Sequence, residues 1–287
     1  MSFSSCKKIY KKIKPEIKYI VILFIITRIV LSVIGVSSQV ILERYNANQK
    51  AWSYSQHRIL DIWAAWDSGW YLRIAENWYS SSKESSPAVI GQASYAFFPL
   101  YPGLIRFFRP LFGSLASSLI ISNLALLLAC WFLFKLVALD YDRKTALRSV
   151  KYMLLYPVAF IFSSVLTESL FTVLLLASFY FAKKSKWCMV GLSGFFLALT
   201  RSLGVFAILP LGYIYLKQIK FNIKKIKPNI LFLLLIPLGL IVFSAYNYYL
   251  TGDWLAFVNI QSAWSRDYSN PFLILISGLL SSKLHII

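Results

Sequence analysis

The sequence predicts an all-α integral membrane protein that crosses the bilayer several times. Apolar residues make up 58 % of its 287 residues and charged residues only 14 %, against roughly 25 % charged in an ordinary soluble domain. The mean hydropathy is +0.63. So little charge cannot cover the surface of a soluble globule, and disordered chains and coiled coils are charge-rich. These three classes are therefore excluded.

The net charge of +19 comes from basic clusters beside apolar runs. Eighteen of the 30 Lys and Arg residues lie in four clusters, within 7–18, 143–151, 183–186 and 217–227. Basic loops that flank apolar runs are what the positive-inside rule produces on the cytoplasmic side. We therefore expect membrane lipids around the chain and no nucleic-acid partner. The expected location is the bacterial plasma membrane, or the endoplasmic reticulum of a eukaryote.

A basic cytoplasmic tail, 1–18, precedes the predicted membrane domain, 19–287. We interpret this tail and the apolar run after it as a retained anchor rather than a signal peptide that is removed. The clear spans have about the 20 residues that a hydrocarbon core requires. They are Tyr19–Leu42, Leu115–Leu139 and Ile230–Leu250, and a further span begins within Phe272–Ile287. The outer loops 43–114 and 251–270 then share one face of the membrane, and the first is rich in Trp and Tyr.

Two apolar blocks, 152–182 and 187–216, allow two interpretations. Each is too long for one comfortable span and too short for two full ones. As single spans they would place the 183–186 cluster outside. As hairpins of short helices, turning at 163–169 and 200–204, they keep all four basic clusters inside, which the charge rule favours.

Asp67 is the first candidate for chemistry. Apolar and aromatic residues between Ile59 and Trp78 recur at spacings of three and four, which predicts one interfacial helix with an aromatic face. Asp67 falls within that face, and Asp61 and Glu76 fall opposite it. A carboxylate there costs free energy without a partner or a function. The alternative is an Asp that caps or turns the chain before Ser68-Gly69.

Glu168 and Arg201 are the second candidates. Glu168 is the only acid between Asp142 and Asp253, and Arg201 is the only base between Lys186 and Lys217. Ionisable residues within membrane segments mark functional sites by default and often pair with each other. They form either a structural ion pair or a site in which Arg201 holds a phosphate, whose geometry suits a guanidinium.

Other segments are less specific. In Phe97–Pro102 two prolines stand three apart, which predicts an interfacial turn that could also line a cleft. The stretch 251–267 is a second Trp-bearing amphipathic segment, with Asp253 near a helix start. The three cysteines and two histidines have no spacing typical of a metal site, so no metal and no cofactor are expected.

Read in order, these segments resemble the PIG-V family of GPI mannosyltransferases and their bacterial relatives. The resemblance covers about residues 59–266. The matching residues are Trp66-Asp67-Ser68-Gly69 with 72–76, Phe97–Pro102, Thr167–Phe171, Thr200-Arg201-Ser202 with Gly204, and Gly252–Phe257 with Gln261 and Trp264.

The resemblance implies a GT-C glycosyltransferase with its active site on the periplasmic or lumenal face. The donor would be a polyprenyl-phosphate hexose, mannose in the family, and the acceptor a lipid-linked or glycan hydroxyl. Asp67 would be the catalytic base, with Arg73, Glu168 and Arg201 binding substrate. The cleft would be lined by Trp66, Trp70, Pro99, Tyr101 and Pro102. Relatives also continue for several spans beyond the point that corresponds to Ile287, and these help to bind the donor.

Two rival functions remain open. A transporter or lipid-handling protein would also explain intramembrane Glu168 and Arg201, since paired charges mark transport pathways. An inactive partner subunit would suit a chain that lacks the C-terminal spans. Sugar transfer by the purified protein separates the three.

Overall fold

The computed structural model describes residues 14–41, 53–85, 89–266, 270, 272–274 and 276. Every element in these ranges is an α-helix or a 3-10 helix, which confirms the all-α prediction. Most of the predicted basic tail, the start of the first outer loop and most of the final predicted span lie outside the described residues.

Eleven α-helices have both of their ends within the described residues, and residues 272–274 and 276 are helical as well. The eleven helices are α1 (Pro15–Ile41), α2 (Arg58–Asp61), α3 (Ser68–Asn77), α4 (Leu100–Phe112), α5 (Ser114–Val137), α6 (Arg143–Leu155), α7 (Glu168–Lys183), α8 (Trp187–Ala198), α9 (Ile208–Gln218), α10 (Leu235–Thr251) and α11 (Ala256–Asn259). The 3-10 helices are Ser94–Ala96, Ala159–Phe162, Ser202–Ala207, Ile223–Lys225, Pro228–Leu234 and Ile260–Trp264.

Three helical stretches in the described residues are long and apolar enough to cross a membrane: α1 (Pro15–Ile41), α5 (Ser114–Val137) and Pro228–Thr251. The last of these joins the 3-10 helix Pro228–Leu234 directly to α10. Each begins and ends within a few residues of a predicted span. Their length follows from uninterrupted apolar sequence, because about 20 helical residues match the hydrocarbon thickness. They agree with the predicted membrane location.

In each ambiguous block two short helices are joined by a turn, although the first helix of the first block, α6, already begins at Arg143 in the basic cluster. α6 ends at Leu155, and the extended backbone of the next residue, Tyr156 (ψ 136°), is the conformation that a following proline imposes. A 3-10 helix and the turn 163–167 then lead into α7. In the second, Arg201 is extended (φ −156°, ψ 148°) between α8 and the 3-10 helix before α9. This arrangement matches the hairpin interpretation.

The flanks of the basic clusters meet at one end of the molecule, which we call the basic end. Three contacts between helix ends define it: Glu16 Oε1–Arg143 Nε at 3.0 Å, Asp140 Oδ2–Lys183 Nζ at 2.6 Å, and Gln218 Oε1–Ser185 Oγ at 3.1 Å. Because Lys183 follows a full α7 and still meets Asp140, the first block returns to the end from which it started. A single span would have placed Lys183 at the other end.

The hairpin turns meet the first outer loop at the opposite end, which we call the aromatic end. The N–H of Val165 donates to the carbonyl of Trp63 (2.9 Å), and the N–H of Leu100 donates to the carbonyl of Leu199 (3.1 Å). Both hairpin turns are therefore hydrogen-bonded to the loop that carries Asp67.

Arg28, the one charge inside the first span, joins α1 to the first hairpin. Its side chain is 9 % exposed and donates from Nη1 to the Ala159 carbonyl (3.1 Å) and to Ser163 Oγ (2.8 Å). Ser163 in turn donates to Asn123 Oδ1 of α5 (2.8 Å). A buried cation requires such acceptors to offset its desolvation.

The predicted continuous interfacial helix from Ile59 to Trp78 is wrong. The chain forms α2, breaks at residues 62–67 with Trp66 in a left-handed conformation (φ 53°), and restarts as α3. Tertiary contacts stabilise the break: Asp61 Oδ1 accepts the N–H groups of Tyr54 (2.7 Å) and Ser55 (3.0 Å). A Cβ on Gly69 would lie 2.1 Å from the Tyr54 hydroxyl, so a larger residue at this position would displace the Tyr54 ring.

The proline-rich segment also differs from the prediction of a turn. Pro99 stands at the N-cap of α4 and Pro102 lies within its first turn. Prolines are tolerated there because the first N–H groups of a helix have no intrahelical acceptor. The segment thus starts a helix.

Candidate functional site

A cavity of about 300 Å³ opens at the aromatic end. It lies between α3, the second hairpin turn and the segment 252–266, which we call the cover segment. Its lining residues are Asp67, Tyr71, Ala96, Phe97, Phe98, Thr200, Arg201, Ser202, Phe257, Val258, Gln261 and Arg266. Two larger openings, of about 370 and 610 Å³, are lined by other residues. The cavity of about 300 Å³ is the one lined by Asp67 together with two arginines, Arg201 and Arg266.

Asp67 stands at the N-cap of α3, as the alternative interpretation of its position expected, but its carboxylate makes no capping hydrogen bond. Partial burial raises the pKa of Asp67, and Glu168 acts in the same direction, whereas Arg266 and Arg201 lower it. The two guanidinium groups therefore favour the ionised carboxylate against the desolvation that opposes it. Such a carboxylate is able to accept a proton from a ligand.

Glu168 and Arg201 form an ion pair beside the cavity. Arg201 Nη1 lies 2.5 Å from Glu168 Oε1 and 3.5 Å from Thr167 Oγ1. Glu168 is the first residue of α7, and Arg201 lies in the turn between α8 and the next 3-10 helix. The predicted pairing is confirmed. Glu168 is not among the residues that line the cavity, and its Oε2 is buried with no hydrogen-bond partner among the described residues. Glu168 therefore acts on the cavity through Arg201.

Tyr71 is a site residue that sequence reasoning missed. It lies one helical turn after Asp67 on α3, is 8 % exposed and shares a hydrogen bond with Thr167. Burial raises the pKa of Tyr71 far above its usual value, so the phenol stays protonated and remains a donor. Its spacing of four residues from Asp67 was the available signal, because such residues share a helix face.

Arg266 is the second residue that was missed. It is exposed and lines the cavity, so it stands at the opening. Its Nη1 donates to Gln261 Oε1 (2.9 Å). Arg266 is the only basic residue of the cover segment, which was the signal in the sequence.

Arg73, predicted to bind substrate, is not among the residues that line the cavity. It forms an ion pair with Glu84 and lies over the Trp70 ring, 4.6 Å from the ring centroid. Asp67 and Arg73 were expected on one uninterrupted helix. Both residues do belong to α3, Asp67 as its N-cap, but six residues at about 100° each turn their side chains toward different faces of the helix, so Arg73 contacts Glu84 and Trp70 instead of the cavity.

The five predicted cleft-lining residues do not line the cavity either. Trp66 is exposed, and its ring contacts the ring of Phe160. Trp70 stacks on Phe97, with the ring centroids 5.3 Å apart. Pro99, Tyr101 and Pro102 belong to α4, where the Tyr101 hydroxyl lies 2.8 Å from Ser122 Oγ of α5. The neighbouring Ala96, Phe97 and Phe98 form the wall.

Comparison of the chain with models of protein families, with curated proteins and with solved structures finds no match. The chemistry of the cavity must therefore be inferred from its own residues. It combines a carboxylate that is able to take a proton, two guanidinium groups suited to an anion, and a protonated phenol between aromatic walls.

Proposed function

We propose that this protein is a GT-C-like glycosyltransferase that resembles the PIG-V-type mannosyltransferases. It transfers a hexose such as mannose from a polyprenyl phosphate to an acceptor hydroxyl, with inversion. The observation that carries this proposal is that Asp67 and Arg201 line one cavity at the end of the molecule opposite the basic clusters.

The residues divide the reaction between them. Asp67 takes the proton of the acceptor hydroxyl while the bond between the sugar and the donor phosphate breaks. Arg201 binds the phosphate and neutralises the charge that it gains as the leaving group. Glu168 Oε1 orients Arg201. The phenol of Tyr71 supplies a neutral donor.

The lengths of the helices support a donor whose phosphate lies at headgroup depth. The 16 residues of α7 span about 24 Å, whereas the 24 residues of α5 span about 36 Å, at 1.5 Å per residue. Because both helices end near the basic end, where Lys183 meets Asp140, the first hairpin turn stops roughly 12 Å short of the outer end of α5. A recess of that depth suits a phosphate attached to a lipid chain.

The positive-inside rule then orients the molecule, with the basic end in the cytoplasm and the cavity facing the periplasm or the lumen. An acceptor on that face, lipid-linked or glycan, reaches the cavity from the aqueous side. The prenyl chain of the donor stays in the bilayer.

The test is sugar transfer by the purified full chain in lipid nanodiscs. The donor is polyprenyl phosphate bearing radiolabelled mannose, and a membrane lipid extract supplies acceptors. We expect labelled product and release of polyprenyl phosphate from the wild type. Absence of turnover with both mannosyl and glucosyl donors would refute the proposal. Transport of the intact donor between leaflets would indicate a lipid-handling protein instead.

A further inference from the structure

The cover segment holds Arg266 at the cavity opening through a defined set of contacts. Ser265 adopts a left-handed conformation (φ 54°), which returns the chain so that the N–H of Arg266 reaches the Gln261 carbonyl (3.3 Å). Gln261 Oε1 accepts from Arg266 Nη1, and Gln261 Nε2 donates to the Phe257 carbonyl (3.0 Å). The guanidinium is therefore oriented before any ligand binds.

Trp264, two residues before Arg266, anchors the cover segment to the wall of the cavity. Its ring lies 5.7 Å from that of Phe97 and 6.1 Å from that of Trp70, centroid to centroid. Aromatic contacts of this geometry add to the free energy of burial. Arg266 is thus attached to the same wall that supports α3 and Asp67.

The charges around the cavity differ between the two arginines. Arg201 is matched by Glu168 at 2.5 Å. Arg266 has the neutral Gln261 as its hydrogen-bond partner, and no ion pair joins it to a carboxylate within the part of the chain that the structure describes. Its charge acts on Asp67 instead. A guanidinium so placed is available to an incoming anion, and its fork matches phosphate.

We propose that Arg266 is a second phosphate-binding residue, which together with Arg201 holds the phosphate of a prenyl-linked ligand at the cavity opening. The prenyl part of this ligand rests on the proposed function, whereas the phosphate part follows from the two guanidinium groups. Gln261 is the positioning residue: its amide sets the guanidinium without neutralising it.

The test is equilibrium binding of radiolabelled citronellyl phosphate, a short prenyl phosphate, to the purified full chain in nanodiscs, with empty nanodiscs as the blank. Inorganic phosphate is the competitor. We expect Arg266→Gln to weaken binding about 5- to 20-fold and to reduce its dependence on salt, since one charge-assisted contact is lost at an exposed position. Arg266→Lys should weaken binding less.

Gln261→Glu provides a second variant that keeps Arg266 in place. The new carboxylate pairs with the guanidinium, so binding should weaken as in Arg266→Gln. Arg109→Gln is the matched control, because Arg109 donates to the Glu76 carbonyl at the same end of the molecule without lining the cavity. It should bind the ligand with wild-type affinity.

Wild-type affinity in both Arg266→Gln and Gln261→Glu would overturn the inference, as would failure of the wild type to bind citronellyl phosphate. Equal affinity for inorganic phosphate and citronellyl phosphate would overturn the prenyl part. If Arg266→Gln weakens binding but no sugar is transferred, the inference stands and the proposed function fails. If sugar is transferred and Arg266→Gln binds normally, the inference alone fails.

Discussion

Asp67 combines an unused carboxylate with two cationic neighbours in one cavity. Ionised Asp67 is disfavoured by burial and favoured by Arg266 and Arg201, so its charge is costly to the fold and would serve the proposed reaction. Asp61, the carboxylate nearest in sequence, has a different role: it is 7 % exposed and accepts two backbone N–H groups. Loss of Asp61 would disturb the loop, which makes it unsuitable as a control.

Asp67→Asn is expected to lower turnover by about 100-fold or more, because the amide cannot accept the proton. Its melting temperature should equal or exceed that of the wild type. The pKa of Asp67 is raised on folding, so the stability that this group contributes is lost as pH rises through the folded-state pKa. Turnover and thermal unfolding of purified protein check both effects.

Glu76→Gln, an exposed change on the same helix, is the control and should retain full turnover. If Asp67→Asn also kept wild-type turnover, the role assigned to Asp67 would be refuted.

The pH profile of kcat/KM should show an acidic limb at a higher pH than an ordinary aspartate produces. The proposed mechanism requires ionised Asp67, whose pKa is raised chiefly by burial, so activity should be lost as pH falls through that value. Arg266→Gln removes a cation that lowers this pKa and should move the limb to higher pH. A limb that stays in place or moves to lower pH would contradict the electrostatic coupling of the two residues.

Arg201→Lys keeps the charge but replaces a forked donor by a single ammonium group. We expect kcat to fall by about 10- to 100-fold, since one charge-assisted contact to the phosphate and part of the contact to Glu168 are lost. Single-turnover rates at saturating donor measure this. Wild-type rates in Arg201→Lys would show that Arg201 does not bind the phosphate and is only a structural partner of Glu168.

At the scale of elements, glycines let the second hairpin pack against the last described span. On α8, a Cβ at Gly191 would lie 2.3 Å from the Phe232 carbonyl oxygen, and on α10 a Cβ at Gly239 would lie 2.4 Å from that of Phe195. Small residues permit such close approach between membrane helices, where packing replaces the hydrophobic effect as a driving force. This contact holds the hairpin that carries Arg201.

Gly191→Ala and Gly239→Ala are therefore expected to lower the melting temperature by several degrees, as the helices must move apart. Gly212→Ala on α9 is the matched control, because a Cβ there meets nothing within 4 Å. It should leave stability unchanged or raise it, given the higher helix propensity of alanine. If all three variants had the same melting temperature, the close packing of α8 on α10 would be disproved.

For the whole molecule, the two ends predict the outcome of cysteine labelling in cells. In a background without Cys6, Cys130 and Cys188, cysteines at Ser82 and Ser265 should react with an impermeant thiol reagent from outside, because both are exposed at the aromatic end. A cysteine at Ser185, exposed at the basic end, should react only after permeabilisation.

Labelling of Ser185 from outside would restore the single-span interpretation and separate Lys183 from Asp140. Labelling of Ser82 and Ser265 from different sides would contradict the shared face of the two outer loops. A cysteine at Ser4, in the basic tail outside the described residues, should behave like that at Ser185.

Some of the site could be predicted from residue type alone. Glu168 and Arg201 stand out because ionisable residues are rare in apolar blocks, and Asp67 stands out for the same reason among aromatic residues. Tyr71 and Arg266 could not be selected in this way. Tyrosine is common in the outer loop and arginine is ordinary at an interface, so the spacing of Tyr71 from Asp67 and the isolated charge of Arg266 become informative only beside their contacts.

The sequence by itself determined the all-α class and the three long apolar helices, and it favoured hairpin turns at 163–169 and 200–204 over single spans without deciding between them. These follow from local quantities: the number of consecutive apolar residues needed to cross hydrocarbon, and the placement of basic residues. Tertiary structure alone decided where the helix between Ile59 and Trp78 breaks, because that break depends on Asp61 and Gly69 meeting Tyr54. It also decided which charges lie together, since Glu168 and Arg201 are 33 residues apart and Arg266 lines the same cavity as Asp67 in a segment that Trp264 packs against Phe97 and Trp70. Periodicity describes one element at a time, and such contacts depend on how several elements pack together.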